Sequence, residues 1–135
     1  MYQLSYLWYN RIMNKSQALN QFWNQFNIPA FDENSVPDGT SFPYITYSEA
    51  TDSLDNVVQL SASIWDRSTS WERISLKADE IAKLIGEQGF FKMKLDTGYV
   101  WFVKGTPFAQ RMNDPEDDRI RRIYINVQAE FLTPY

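Results

Sequence analysis

Residues 58–86 have the sequence VQLSASIWDRSTSWERISLKADEIAKLIG, in which the spacing of hydrophobic residues changes from strand-like to helical. Apolar residues first occupy every second position, the pattern of a strand with one covered face: Val58, Leu60, Ala62 and Ile64. Apolar residues then recur at steps of three and four, the pattern of an amphipathic helix: Trp71, Ile74, Ala78, Ile81 and Ile85. The stretch therefore predicts a strand and then a helix, with a Thr69–Glu72 capping box at the helix start and Gly86 or Gly89 at its end.

The residues before this stretch predict a helix and a short strand. Asn14 or Ser16 can cap a helix that runs to about Phe26, and its apolar stripe consists of Leu19, Phe22, Trp23 and Phe26. Pro29 ends this helix. We predict a loop over 27–42, a strand over 43–48 and a polar turn over 49–55.

The residues after this stretch predict three strands. Residues 90–104 form a hairpin around a three-residue Asp96-Thr97-Gly98 turn, with Gly98 in the left-handed conformation. Residues 105–118 contain two prolines and predict a long loop, and residues 119–131 alternate as a last strand. The fold class is α+β, with a mainly antiparallel sheet of about five strands and two helices packed on one face.

Length and composition predict a single globular domain. The chain has 135 residues, of which 44% are hydrophobic and 16% aromatic, so it can bury a core. We assign residues 13–135 to one domain and residues 1–12 to an N-terminal extension whose status the sequence leaves open. No apolar stretch approaches the roughly 18–20 residues that span a bilayer, so we expect no membrane contact. No export signal is visible, which predicts that the chain is made and used in a cytoplasm.

The chemistry of the side chains gives no catalytic or cofactor site. The chain has no cysteine and no histidine, which removes thiolate chemistry and the commonest general base and metal ligand. Asp96-Thr97-Gly98 matches the active-site triplet of aspartic peptidases, but a hairpin turn explains it without chemistry, and only 37 residues follow Gly98. The acidic run at 114–118 lacks the ligand spacing of a calcium loop. We expect no catalytic residue, no metal and no cofactor.

Charge is distributed unevenly along the chain. The net charge is −4, and residues 1–66 contain two basic and seven acidic residues, whereas residues 67–135 contain eleven basic and ten acidic ones. A net acidic chain disfavours tight DNA binding, because affinity for DNA grows with the number of neutralised phosphates. Three arginines near the last strand could contact phosphates or a partner subunit, and their acidic neighbours cancel much of that field: Arg119, Arg121 and Arg122.

Several segments, in order and spacing, resemble the tail terminator (tail completion) proteins of long-tailed bacteriophages and prophages. They are IPAFDENSVPD at 28–38, PYITYS at 43–48, SIWDRSTSW at 63–71, GTPFAQRM at 105–112 and IRRIYINVQAEFLTPY at 120–135. The resemblance covers about residues 13–135 and leaves out residues 1–12.

This resemblance implies a structural virion protein and not an enzyme. The implied subunit forms a homo-hexameric ring that caps the tail tube, ends tail polymerisation and joins the head. Its implied partners are further copies of itself, the major tail tube protein and a head connector or stopper protein, and DNA only passes through the lumen. The implied location is the head-proximal end of the virion tail, after assembly in the host cytoplasm. The alternatives are another head–tail connector or minor capsid component, or a small aspartic peptidase using Asp96.

A ring needs two different patches on each subunit, and the sequence suggests candidates for them. The candidate subunit or tail-tube interface consists of Trp65, Pro107, Phe108, Arg111, Met112, Arg121 and Arg122. Phe108 and Met112 are large apolar residues in a predicted loop, so they pack either on the core or on a neighbouring subunit, and we favour the neighbour. Arg111 between them would face an acidic patch in the N-terminal half of the next subunit.

Overall fold

Strand β6, Ile120–Leu132, pairs on both sides in the computed structural model, which describes residues 13–49, 57–86 and 89–134. Strand β3, Val57–Arg67, and strand β5, Gly98–Asn113, are its antiparallel neighbours. Every second residue of β6 from Ile123 to Phe131 is buried. The alternating sequence patterns of β3 and β6 therefore predicted these two strands correctly.

Three shorter strands complete a six-stranded sheet. Strand β2, Tyr44–Tyr47, pairs antiparallel with β3, and strand β4, Phe91–Leu95, pairs antiparallel with β5. Strand β1, Ala30–Asp32, pairs parallel with β2, so the sheet is mixed, in the order β1-β2-β3-β6-β5-β4. The α+β class is confirmed, and the described residues form six strands, close to the predicted number, in a sheet that is not wholly antiparallel. A three-residue strand inside the loop predicted over 27–42 is too short to give a periodic signal.

Two α-helices, α1 (Lys15–Trp23) and α2 (Glu72–Gly86), lie where the sequence predicted them. Asn14 caps α1, and a 3₁₀ turn, Asn24–Phe26, continues it to the predicted end. The Thr69–Glu72 capping box is wrong, because Glu72 is the first residue of α2 and its amide donates to Ser70 Oγ at 3.1 Å. Within the described residues, neither helix is long and apolar enough to cross a membrane.

Both helices contribute to one hydrophobic core on the same side of the sheet. The Phe22 ring of α1 stacks on the Phe102 ring of β5, with 4.1 Å between their centroids. Lys77 Nζ of α2 donates to the Phe26 carbonyl oxygen at 2.7 Å and ties the two helices together. The fully buried side chains of this core include Leu19, Phe22, Trp23, Ile45, Leu60, Ile64, Ile74, Ile81, Ile85, Phe102, Ile125 and Phe131.

The turn of the β4–β5 hairpin is tighter than predicted. Leu95 pairs with Gly98, so Asp96 and Thr97 alone form the turn, and the predicted three-residue turn is wrong. Gly98 has φ = 157°, a conformation that L side chains rarely adopt, and a Cβ there would overlap the carbonyl oxygen of Leu132. Only glycine fits this close approach of β5 to the end of β6.

Strand β5 continues where the sequence predicted a loop over 105–118. Lys104 pairs with Val127 and Ala109 pairs with Ile125, so β5 gains three residues relative to β6 between these pairs. The extra residues form a bulge that contains Pro107, whose carbonyl oxygen accepts a hydrogen bond from Asn126 Nδ2 at 2.9 Å. Because a bulge tolerates proline inside a strand, Pro107 does not end β5 as the sequence suggested.

Two of the predicted segments fall wholly or mainly outside the described residues. They are the N-terminal extension over 1–12 and the polar turn over 49–55, of which only Glu49 is described. The predicted end of α2 is confirmed at Gly86. Gly89 follows with φ = 84° and donates from its amide to the Gly86 carbonyl oxygen at 3.2 Å.

A buried carboxylate joins the end of β3 to the start of α2. Asp66 is fully buried, and the Arg73 guanidinium donates from Nε to Asp66 Oδ2 at 3.0 Å and from Nη2 to Oδ1. The Arg67 amide also donates to Asp66 Oδ1 at 2.8 Å. The hydrogen bonds to Asp66 raise the pKa of Arg73. This bidentate pair links the end of β3 to the first turn of α2.

We expect Gly98→Ala to destabilise the protein by about 1–3 kcal/mol or more. Alanine would have to adopt a strained φ, and its Cβ would overlap the carbonyl oxygen of Leu132. Gly86→Ala is the matched control, since a Cβ there meets only the movable end of Lys104. Urea unfolding curves measure both free energies of unfolding. Equal stability of Gly98→Ala and wild type would contradict the assigned approach to Leu132.

We expect Arg73→Met to destabilise the protein much more than Arg67→Met. The first change leaves the buried Asp66 carboxylate without its cation, whereas the second removes a surface pair between Arg67 and Asp117. Thermal unfolding of the two variants at pH 7 gives the comparison. Equal shifts in melting temperature would show that the Asp66 pair does not hold α2.

Candidate protein-interaction surface

The sheet has a second face, opposite the helices, which we call the outer face. Along β3 and β6 this face is formed by the residues that alternate with the core positions, and it is rich in hydroxyl and amide groups: Gln59, Ser61, Ser63, Trp65, Arg122, Tyr124, Asn126, Gln128 and Glu130. At its centre Ser61 Oγ lies 3.3 Å from Ser48 Oγ, and Gln59 Nε2 lies 3.5 Å from Asn126 Oδ1. The side chains of this polar centre therefore partner one another.

One end of the outer face carries aromatic and arginine side chains instead. The strand register places four residues side by side across β2, β3, β6 and β5, and we call them the outer-face row: Tyr44, Trp65, Arg122 and Met112. Met112 is 37% exposed, and the other three side chains are partly exposed. Three of the predicted interface residues thus come together, from segments far apart in sequence.

The Arg122 side chain is held in one orientation. Its guanidinium lies over the Trp65 ring, with 4.9 Å from Cζ to the centroid, and over the Tyr124 ring, at 5.6 Å. Its Nε donates to Ser63 Oγ at 2.9 Å. Within the described part of the chain no carboxylate forms an ion pair with Arg122. Its terminal amino groups are therefore oriented to bind an acceptor on another molecule.

The Trp65 side chain is also held in one orientation. The residues that surround it were not predicted from the sequence. Its indole Nε1 donates to Thr46 Oγ1 at 2.9 Å. Beside it, the Tyr44 ring packs 5.3 Å from the Phe42 ring and 6.3 Å from the Phe31 ring. Burial raises the pKa of Tyr44. The alternation in PYITYS was the only sequence signal that could have placed Tyr44 on this face.

Arg121 and Arg122 point to opposite faces of the sheet, because successive residues of a strand alternate. On the helix side, Arg121 lies over the Trp71 ring at 5.2 Å and donates to the carbonyl oxygens of Ser68 and Thr69, at 3.1 and 3.3 Å. Arg111 lies over the same ring at 4.9 Å. We call Trp71, Arg111 and Arg121 the Trp71 cluster.

Phe108 and Met112, which the sequence placed on one loop, lie in different environments. Phe108 belongs to the bulge, is half-buried and packs against the core. Met112 lies beyond the bulge and is exposed on the outer face, opposite Arg122. Pro107 is exposed and uses its carbonyl oxygen to hold the bulge to Asn126. Of these three predicted interface residues, Met112 therefore offers its apolar surface on the outer face.

The acidic residues between β5 and β6 stabilise their own turn. Asp114 Oδ1 accepts from the amides of Glu116 and Asp117, and Asp117 accepts from the Arg119 amide at 2.9 Å and pairs with Arg67. The hydrogen bond from the Arg119 amide and the one from Arg67 lower the pKa of Asp117. In the described ranges, no three histidine, cysteine, aspartate or glutamate residues are grouped so as to hold a metal.

Asp96, the candidate peptidase residue, is exposed at the tip of the β4–β5 hairpin. Its amide donates to the Met13 carbonyl oxygen at 2.8 Å. The peptidase mechanism needs a second carboxylate about 3 Å away that shares one proton with the first. In this subunit Asp96 is part of an exposed two-residue turn.

We expect Asp117→Asn to lower stability at pH 7 and to have a smaller effect at pH about 2.5. A folded-state pKa below the ordinary value of an aspartate contributes stability that is present above about pH 4 and is lost as the pH falls through the folded pKa. Asp118→Asn is the control on the same turn, since Asp118 has no hydrogen bond or ion pair with other described residues. Urea midpoints at the two pH values give the result, and a pH-independent loss would contradict the assignment.

Neither a scan against protein-family models nor a search of curated proteins finds a match to this sequence.

Proposed function

We propose that this chain is a structural assembly protein that binds another protein through the outer-face row. The single observation that carries this proposal is the alignment of Tyr44, Trp65, Arg122 and Met112 on one exposed surface. Tryptophan, tyrosine, arginine and methionine are the residues that protein interfaces favour, and the first three supply most interface hot spots. Exposed residues of this kind lower the solubility of a free protein, and a bound partner would cover them.

The rigidity of the row supports a binding role. Arg122 is held by Ser63 and two rings, and Trp65 is held by Thr46, so both side chains lose little conformational freedom when a partner binds. Binding costs about 0.5–1.5 kcal/mol for each flexible side chain that an interface orders. Side chains that are already ordered avoid most of this cost, and the row therefore suits stable assembly.

The resemblance to tail terminator proteins gives this role its setting. In that setting the chain forms a homo-hexameric ring at the head-proximal end of a phage tail, ends growth of the tail tube and provides the surface that joins the head. The ring would contact the major tail tube protein and a head connector or stopper, and DNA would pass through its lumen. Assembly would take place in the host cytoplasm. The α+β fold of the described residues is compatible with this proposal.

A structural role also agrees with the way in which charged side chains are used in this fold. The charged groups that are best ordered, Asp66 with Arg73 and Asp117 with Arg67, hold elements of the fold together. A head–tail connector or minor capsid component would use the same kind of surface, and its position in the particle would distinguish it from a tail terminator.

We expect Arg122→Gln to reduce the joining of tails to heads at least about tenfold in the phage or prophage that encodes this chain, because loss of a hot spot costs about 2 kcal/mol or more. Lys94→Gln is the matched control. It removes one cation from the outer face at the opposite end of the sheet, where Lys94 pairs with Tyr99. Plaque yield and electron microscopy of purified tails measure joining.

Urea unfolding of Arg122→Gln should match that of wild type, which separates binding from folding. Labelled antibody on purified tails should mark the head-proximal end. Label elsewhere on the particle would refute the tail terminator role and leave a connector or capsid role. Normal joining by a stable Arg122→Gln variant would refute the role of the outer-face row.

A further inference from the structure

The two edges of the sheet differ in how far they are closed. At one edge β4 covers β5 only from Gly98 to Phe102, so residues 103–113 of β5 have β6 on one side and no strand of the described chain on the other. Residues 109–113 are all exposed. At the other edge, Asn24 of the 3₁₀ turn occupies both backbone groups of Ala30 in β1, accepting from its amide at 2.9 Å and donating to its carbonyl oxygen at 3.1 Å. An edge closed in this way cannot add a further strand.

The open edge carries two arginines without ion pairs among the described residues, and the acidic turn between β5 and β6 lies beyond its end. Arg111 lies on β5, on the same side of the sheet as the helices, because its partner Ile123 is a core residue. With Arg121 it places two guanidinium groups on the Trp71 ring. Within the described residues neither arginine forms an ion pair with a carboxylate. Arg121 is anchored by two backbone carbonyl oxygens, so this charge is held in place without being neutralised.

The closed edge carries the opposite charge. The end of β1 and the loops that flank β1 and β2 present four carboxylates: Asp32, Glu33, Asp38 and Glu49. The sequence has no lysine or arginine between residues 16 and 66 that could neutralise them. Coulombic repulsion from Glu49 and Asp32 adds to burial in raising the pKa of Tyr47. The carboxylates at this edge therefore act on the buried Tyr47.

We propose that the Trp71 cluster of one subunit binds the acidic β1–β2 end of a second copy of this chain. This contact rests on the proposed ring and identifies the two patches that such a ring requires. The two patches are different and lie at opposite edges of one sheet, so the contact is head-to-tail and repeats from copy to copy. Charge complementarity selects the second copy, because the chain carries both halves of the contact.

The contact uses side chains and does not extend the sheet. Asn24 already occupies the outward backbone groups of Ala30, and the Asp32 carbonyl oxygen accepts from the Ser35 amide at 2.9 Å. Asp32 lies on the helix side, since its partner Tyr47 is a core residue. Arg111 lies on the helix side of the opposite edge. Two copies in the same orientation would therefore bring these charges to the same side.

Complementation between two variants tests the proposal. Arg111→Glu damages the arginine edge and keeps the acidic end, whereas Glu33→Lys with Glu49→Lys damages the acidic end and keeps the Trp71 cluster. Sedimentation velocity from about 10 to 500 μM should show association of wild type that weakens at 0.5 M salt, because screening shortens the range of the attraction. Each variant alone should associate at least tenfold more weakly than wild type. An equimolar mixture should regain association, because the unaltered arginine edge of one variant meets the unaltered acidic end of the other, and the two reversed patches again carry opposite charges.

Lys83→Glu on α2 is the control for charge reversal, and it should associate like wild type. Three results would overturn the proposal: a wild type that is monomeric over the whole range, association that both variants keep, or a mixture that fails to associate. The test is separable from the test of function. Restored association in the mixture together with label away from the tail end would support this contact and refute the tail terminator role. Label at the head-proximal tail end together with a mixture that fails to associate would support the tail terminator role and refute this contact.

Discussion

The strict alternation of side chains along β6 is the constraint on which the rest of the structure depends. Every second residue of β6 between Ile123 and Phe131 is buried beneath the helices, and the residues between them form the outer face. A shift of one residue in its pairing would exchange these two sets and bury Arg122 and Glu130. The two long pairings of β6, with β3 and with β5, therefore fix both the core and the candidate binding surface at once.

The bulge in β5 changes which residues of this strand face the helices and which lie on the outer face. Before the bulge the even-numbered residues of β5 face the helices, as Phe102 does, and after it the odd-numbered residues do, as Arg111 does. The change of parity sends Met112 to the outer-face row and Arg111 to the Trp71 cluster. Gly105 permits it, because a Cβ at that position would lie 2.8 Å from Asn126 Cβ. One local irregularity thus supplies a residue to each proposed interface.

Arginines on tryptophan rings are the common element of both surfaces. Arg122 lies on Trp65 on one side of the sheet, and Arg111 and Arg121 lie on Trp71 on the other. Stacking on a ring orders a guanidinium while leaving it charged, at a gain of about 0.5–1 kcal/mol for an exposed pair. Arg73 shows the contrasting arrangement, in which a carboxylate uses the guanidinium to hold the fold. Arginine therefore holds the fold together at Asp66 and Asp117, and it supplies the charge of both proposed interfaces.

Local periodicity was enough to predict both helices, the two strands that frame the core and the α+β class, because each long element repeats its pattern over two or more turns or pleats. The sequence also picked out Trp65, Arg122 and Met112 as surface candidates, but it could not bring them together or add Tyr44. Cross-strand register did that, and register depends on contacts between residues far apart in sequence, such as Tyr44 with Trp65 and Trp65 with Arg122. The sequence placed Pro107 in a loop, and the tertiary structure placed it in a bulged strand, because Asn126 of the neighbouring strand holds it there. Short strands, bulges and the face on which a side chain lies are settled by such distant partners, and no local pattern contains them.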